Sequence, residues 1–197
     1  MEQIDYFSED YEFLGHTSID EIHQKGLWHQ TVAFWLFNKE KKAIYLQLRG
    51  PKNRVGPNTF DASSGGHLSA GETKEDGLRE LKEELGVEVS KEKCTYFKMV
   101  KNQIHLPQYV NNEFCHSYFV ETDKCLLDFI LEEGEVSSLF EFPIEKVDAF
   151  LLGEEVEIFS LSETRKITLK DMCAFEERIK NNYYYDVFKS LQQIILA

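Results

Sequence analysis

Cysteine is scarce in this 197-residue chain: Cys94, Cys115, Cys125 and Cys173, with no C-x-x-C pair among them. That excludes a zinc ribbon and a dithiol redox motif. It fits buried or incidental thiols in a reducing cytosol. Positive charge is also short, with 22 Lys and Arg against 35 Asp and Glu and a net charge of −13. Such a chain is a poor partner for nucleic acid or an anionic membrane, where attraction to negative charge dominates binding. An anionic small molecule is not excluded, because a site-bound cation and a few local basic groups can reverse the field inside a cleft. No run approaches the ~20 consecutive apolar residues of a membrane-spanning helix. The start, Met1-Glu2-Gln3-Ile4-Asp5, lacks the cationic and apolar segments of a signal peptide. The expected location is the cytoplasm. There is no G-x-S-x-G elbow for an activated serine, no internal repeat and no low-complexity tract.

What is present supports a substantial core. Hydrophobic residues make up 42%, including 15 Phe and 9 Tyr. The length fits one domain over residues 1–197, with a core of about 27–160, a hairpin-like N-terminal extension near Gly15 and a helical C-terminal one. Trp28 to Phe37 reads as a buried strand and Ala43 to Leu48 as its antiparallel neighbour across a polar turn. Residues 50–65 read as a loop. Thr95 to Val100 and Ser117 to Val120 read as strands separated by a polar loop, Asn102 to Glu113. A strand ends at Glu141-Phe142-Pro143, and a helix follows over Ile144 to Leu152. Thr168-x-x-Asp171 opens a helical C-terminus. Strands and helices interleave without a run of βαβ units. The fold class is therefore α+β, a mixed α/β sandwich rather than a doubly wound sheet.

The informative stretch is Gly66-His67-Leu68-Ser69-Ala70-Gly71-Glu72 followed by Arg79-Glu80-Leu81-Lys82-Glu83-Glu84-Leu85-Gly86-Val87. Thr73 and Asp76 have capping-box spacing, Leu78, Leu81 and Leu85 form an apolar stripe, and Gly86 is a C-terminal stop. Val87-Glu88-Val89 begins a strand-like alternation. Gly77 within the helix implies close packing, since Gly there costs roughly 1 kcal/mol relative to Ala. Glu80, Glu83 and Glu84 share one face and repel one another unless a cation lies between them. Carboxylate oxygens suit a hard ion such as Mg²⁺. An arbitrary E-x-x-E-E is a solvated acidic face; the glycine-rich approach, Glu72 and Arg79 favour a metal site.

These residues resemble the signature box of the Nudix hydrolases, which typically cleave a nucleoside diphosphate linked to another moiety using Mg²⁺ or Mn²⁺. The resemblance implies an α/β/α sandwich with a mixed sheet, the box forming a loop–helix–loop. It implies metal binding at Glu80, Glu83 and Glu84 with Gly66 beside them, and a Glu72–Arg79 partnership. Six residues separate that pair where the family usually has seven.

From Gly26-Leu27-Trp28-His29 to Phe119 the chain also resembles the branch related to isopentenyl-diphosphate isomerase. There a metal is held by three histidines and two glutamates. His23, His29 and His67 lie at similar places, and Asn111-Asn112-Glu113 keeps one carboxylate of the acidic pair. Gly65 stands where the isomerase has its catalytic Cys. A lone His beside a Trp, such as His29, is ordinarily structural; His67, inside the box, is a contact for substrate or metal. Glu113 is a general-base candidate by resemblance. Arg49, with Lys52 and Arg54, is a basic cluster suited to a diphosphate.

The expected function is metal-assisted hydrolysis of a small-molecule diphosphate by a monomer or homodimer. Arg79, Glu83, Glu84 and Glu113 are the catalytic candidates, Arg49, Lys52 and His67 the substrate contacts. The alternatives are an isoprenoid-diphosphate isomerase, opposed by Gly65, and a ligand-binding domain without turnover.

Overall fold

The computed structural model describes residues 2–107 and 109–197. Its hub is β3 (Trp28–Asn38), a strand with apolar side chains on both faces. Alternation sends Ala33, Trp35 and Phe37 into one core and Val32, Phe34 and Leu36 into another. A continuous apolar run is what a strand buried on both sides requires. On the first side α3 (Val147–Leu151) and α5 (Tyr183–Leu196) cover the sheet through Phe150, Val187, Phe188 and Leu191. On the second, α2 (Arg79–Leu85) inserts Leu81 and Leu85. The layers are helix, mixed sheet, helix, the expected α+β sandwich.

The N-terminal strands β1 (Gln3–Phe7) and β2 (Phe13–Ser18) form an antiparallel hairpin that docks on the start of β3. Its turn is at residues 8–12, with Tyr11 at φ 69°, and not at Gly15, which lies within β2. Sequence reasoning passed over α1 (Ile19–Lys25), although its end signals are present. The Ser18 hydroxyl accepts from the Glu21 backbone N–H, and Gly26 closes the helix at φ 64°.

β4 (Ala43–Arg49) is antiparallel to β3 as expected, but the two pair only at Phe37 with Ile44 and Asn38 with Ala43. Beyond that they part. β5 (Phe60–Asp61) continues along β4, and β6 (Ser64–His67) along β3. Two short strands therefore occupy the segment read as a loop, and the cleft between the diverging halves becomes the cavity described below.

β7 (Cys94–Leu106) and β8 (Tyr109–Glu121) form one long antiparallel hairpin, with β8 parallel to β3. This corrects the expected polar loop at 102–113: those residues, apart from Gln108, which lies outside the described residues, continue the hairpin. Val87 is buried, but residues 87–89 form no strand.

The remaining strands β9 (Val136–Pro143), β10 (Val156–Phe159) and β11 (Thr164–Ile167) extend the sheet from β4. The Thr168–Asp171 capping box forms, though it closes only a 3₁₀ turn. The helical C-terminus then comes in two pieces, α4 (Phe175–Lys180), which starts after Ala174 at positive φ, and α5, separated from it where Asn182 takes positive φ. No helix among the described residues is long and apolar enough to cross a membrane.

Candidate active site

The cleft encloses about 800 Å³. Its walls come from β3 (Thr31, Val32), β4 (Gln47, Arg49), the glycines of β6, the acidic face of α2 and the hairpin residues Asn111 and Glu113. Elements distant in sequence thus bring acidic, basic and imidazole groups into one space.

The box helix is organised by Arg79, which makes five hydrogen bonds. Nε donates to Glu72 Oε1 (3.0 Å), and Nη2 to Glu72 Oε2 (3.2 Å) and the His67 carbonyl (2.9 Å). Nη1 donates to Glu80 Oε1 (2.6 Å) and Glu83 Oε2 (2.9 Å). The Glu72–Arg79 pair therefore forms despite the short spacing. Thr73 and Asp76 close a turn through the Asp76 carboxylate, and a 3₁₀ turn over Asp76–Leu78 leads into α2. A 3₁₀ turn rises about 2.0 Å per residue against about 1.5 Å in an α-helix, so it covers the distance with fewer residues. Gly77 packs where a Cβ would stand 2.7 Å from Val32 Cγ1.

Glu80 and Glu84 are buried, at 8% and 5% exposure. Burial raises the Glu80 carboxyl to about 7, with Arg79 opposing and Glu83 adding to the rise. Burial likewise raises Glu84 to about 8, against the Gly65 backbone N–H, which donates to Glu84 Oε2 at 3.0 Å. Glu135, on the loop before β9, adds to both shifts through its charge and is itself raised by burial and Glu132. Gly66 lies against Glu80: a Cβ there would meet Glu80 Oε1 at 2.3 Å. At Gly65 a Cβ would stand 2.5 Å from the Val32 carbonyl oxygen.

Across the cavity, His23, His29 and His67 converge, each offering a ring nitrogen within 4.8 Å of the others. The Nδ1 atoms of His23 and His29 face backbone carbonyls of Val110 (3.3 Å) and Leu27 (3.0 Å). With Nδ1 as donor, each Nε2 carries the lone pair. His29 Nε2 is buried and has no partner among the described residues. Burial lowers His23 to about 4, with His29 adding to the effect. Burial also lowers His29 and, together with His29, His23 and two arginines, holds His67 well below its ordinary value. His23 Nε2 lies 3.2 Å from the Tyr109 hydroxyl. Neutral imidazoles with an Nε2 lone pair, unpartnered at His29, are metal-ligand chemistry.

Beside them, Glu113 pairs in register with His29 across β8 and β3. Its two oxygens accept from Asn102 Nδ2 (2.8 Å) and Asn111 Nδ2 (3.0 Å). Asp61 lies between two arginines: Arg178 Nη1 donates to Oδ1 at 2.6 Å, and Arg49 Nη1 to Oδ2 at 3.4 Å. Burial works to raise the Asp61 carboxyl, but Arg178 and then Arg49 outweigh it and hold it below its ordinary value.

The NUDIX domain family matches residues 27–160. The chain belongs to the Nudix family. An uncharacterized Nudix hydrolase from Clostridium acetobutylicum is 32% identical over 191 residues, 93% of each chain. Nudix hydrolase 3 from Arabidopsis thaliana is 36% identical over 143 residues, covering 68% of this chain and 18% of the plant protein. A crystal structure of a Deinococcus radiodurans protein superposes with a TM-score of 0.57 at 22% identity, covering 78% of this chain and 91% of that one. That likeness concerns the fold. The family is one of hydrolases acting on nucleoside diphosphate derivatives with divalent cations.

Within this Nudix site the expected residues divide. Arg49, His67, Arg79, Glu80, Glu83, Glu84, Glu113 and Gly66 all line the one cavity. Lys52 does not: it is exposed on the turn before Asn53, and Arg54 extends from that turn over the Tyr109 ring. Glu113 is on a strand rather than a loop. His67 belongs to the imidazole cluster. Asp61, Glu132, Glu135 and Arg178 were not anticipated. None of the four carried a local signal: Arg178 sits on α4, where four of the six residues are charged.

Proposed function

We propose that the chain is a divalent-cation-dependent hydrolase of a phosphoanhydride bond in a nucleoside diphosphate derivative or similar organic diphosphate. The observation that carries the reading is the buried pair Glu80 and Glu84, raised to about 7 and 8, with Glu80 against Gly66 and Glu84 bonded to the Gly65 N–H. Two buried carboxylates beside Glu83 fit a group that supplies positive charge, and their oxygen donors suit a hard ion. Glu80, Glu83 and Glu84, with the main chain of Gly66, would hold Mg²⁺ or Mn²⁺. Such an ion supplies Lewis-acid polarisation of a phosphoryl oxygen.

The chain's own groups do the rest. Arg79 fixes Glu72 and the His67 carbonyl, and so the shape of the loop under the metal site. Arg49 binds phosphate. Proton acceptance falls to Glu84 rather than Glu113: Glu84 accepts from the Gly65 N–H through Oε2, whereas both Glu113 oxygens are taken by side-chain amides. Positioning and charge stabilisation are what phosphoryl transfer mainly needs.

The imidazole cluster supports a second metal position, held by His23, His29 and His67 with Glu113 beside it. Carbon acid–base chemistry is disfavoured: the position resembling the isomerase cysteine is Gly65, and a side chain there meets the Val32 carbonyl. The test is a screen of nucleoside diphosphates, nucleotide sugars, dinucleotides, thiamine diphosphate and isoprenoid diphosphates with Mg²⁺ or Mn²⁺. Turnover that needs metal and is lost in Glu84→Gln supports the reading. Ligand binding without turnover across the panel favours the non-catalytic alternative.

A further inference from the structure

Arg178 is an unusual group to find inside a protein. It comes from α4, outside the matched residues 27–160. The segment that carries it is tied to the cavity wall. The Cys173 backbone N–H donates to the Phe60 carbonyl at 2.6 Å, next to Asp61, and Tyr184 Oη donates to the Cys173 carbonyl. Arg178 is 8% exposed and lines the cavity. A buried guanidinium is costly unless its donors are met.

Here they are met on one side only. Nη1 donates to Asp61 and, at 3.0 Å, to Tyr184 Oη. Nε has no partner among the described residues. Nη2 is 3.8 Å from Glu113 Oε1, which is beyond hydrogen-bond reach. Arg49 is similarly arranged: Nε donates to the Val55 carbonyl at 2.9 Å and Nη1 reaches Asp61 only at 3.4 Å. Two guanidiniums whose residues line the cavity thus share one aspartate, with donor capacity left over. The ligand that completes both is a multiply charged anion with several acceptor oxygens, which is a phosphate group.

We infer that Arg49 and Arg178, braced by Asp61, form a two-guanidinium clamp for the substrate phosphate lying away from the box carboxylates. The clamp makes the C-terminal segment part of the active site. It rests on the hydrolase reading for its place in a reaction, but anion binding tests it without turnover.

The experiment uses full-length protein labelled with ¹⁵N-arginine and titrated with inorganic diphosphate in the presence of Mg²⁺. The Arg178 Nε–H resonance should shift in a saturable way, with the same Kd that calorimetry gives. Arg178→Lys keeps the charge but not the fork, and should weaken that Kd about tenfold. Asp61→Asn combined with Arg178→Gln replaces the ion pair by an amide pair and should weaken it at least as much. Binding with an unmoved Arg178 resonance overturns the clamp, as does no binding at all or an unchanged Kd in a folded variant. The resonance is read in the wild type, so a variant that fails to fold does not block the test. Hydrolysis without the Arg178 response removes the clamp alone; the Arg178 response without hydrolysis removes the hydrolase alone.

Discussion

The metal-free protein should lose stability as pH rises from 6.5 to 8. The folded-state carboxyls of Glu80 and Glu84 are raised to about 7 and 8 from an ordinary value of 4.5. The folded chain therefore keeps protons that the unfolded chain has already released, and stability falls with rising pH wherever this holds. Histidines work in the opposite direction. His23 and His116 are lowered to about 4 by burial, and His29 and His67 are lowered too, all from 6.5. Their contribution is lost as pH falls below 6.5, so between about 4.5 and 6.5 the two sets oppose each other. Above 6.5 the carboxyls at 7 and 8 together remove about 2 kcal/mol by pH 8, while the four histidines return about 1–2 kcal/mol as their unfolded imidazoles release their last protons, a net loss of about 1 kcal/mol. For a chain of this size that is a drop of roughly 2–4 °C in Tm. Thermal denaturation in EDTA across that range measures it, and saturating Mg²⁺ should flatten the slope by holding both groups charged. A Tm in EDTA that stays level or rises from pH 6.5 to 8 refutes the burial argument for the pair.

Other outcomes follow from the same geometry. Gly66→Ala puts a methyl group 2.3 Å from Glu80 Oε1, so the variant should fold but lose the Mg²⁺-induced rise in Tm; an undiminished rise would move the metal away from Gly66. Glu80→Ala with Glu83→Ala should abolish that rise too, because a ligand stabilises only through the native state it binds; equal rises in wild type and double variant would place the metal elsewhere. Isopentenyl diphosphate in deuterated water should be recovered without deuterium and without dimethylallyl product, since no thiol fits at Gly65; incorporation would restore the isomerase.

How far the sequence could be read depended on whether a residue's environment was local. β3 was legible because six consecutive apolar residues, Val32 to Phe37, leave a two-sided strand as the simplest solution. The box helix was legible because its stripe, its glycine stop and its carboxylates all lie within one turn or two. The outer half of the β7–β8 hairpin was not. There Asn102, Asn111 and Glu113 face inward while Lys101, Gln103 and His105 are exposed, so both faces read as polar. The inward polar residues line a cavity rather than a core, which is where hydrophobic alternation fails as a guide. Asp61 and Arg178 stayed hidden for a different reason: their partnership joins residues far apart in the chain, and neither has a nearby motif. The short Glu72–Arg79 spacing was visible, but its remedy, a 3₁₀ turn, required the backbone.

The central claim is that this site uses water to break a phosphoanhydride. Its most direct test is turnover of a nucleoside diphosphate derivative in ¹⁸O-water with Mg²⁺, in parallel with Glu84→Gln. The account predicts metal-dependent cleavage by the wild type, with one ¹⁸O on a phosphate of the product, and loss of most activity in the variant, whose Tm stays within a few degrees. Label on a carbon-bound oxygen, or full activity in Glu84→Gln, would contradict it.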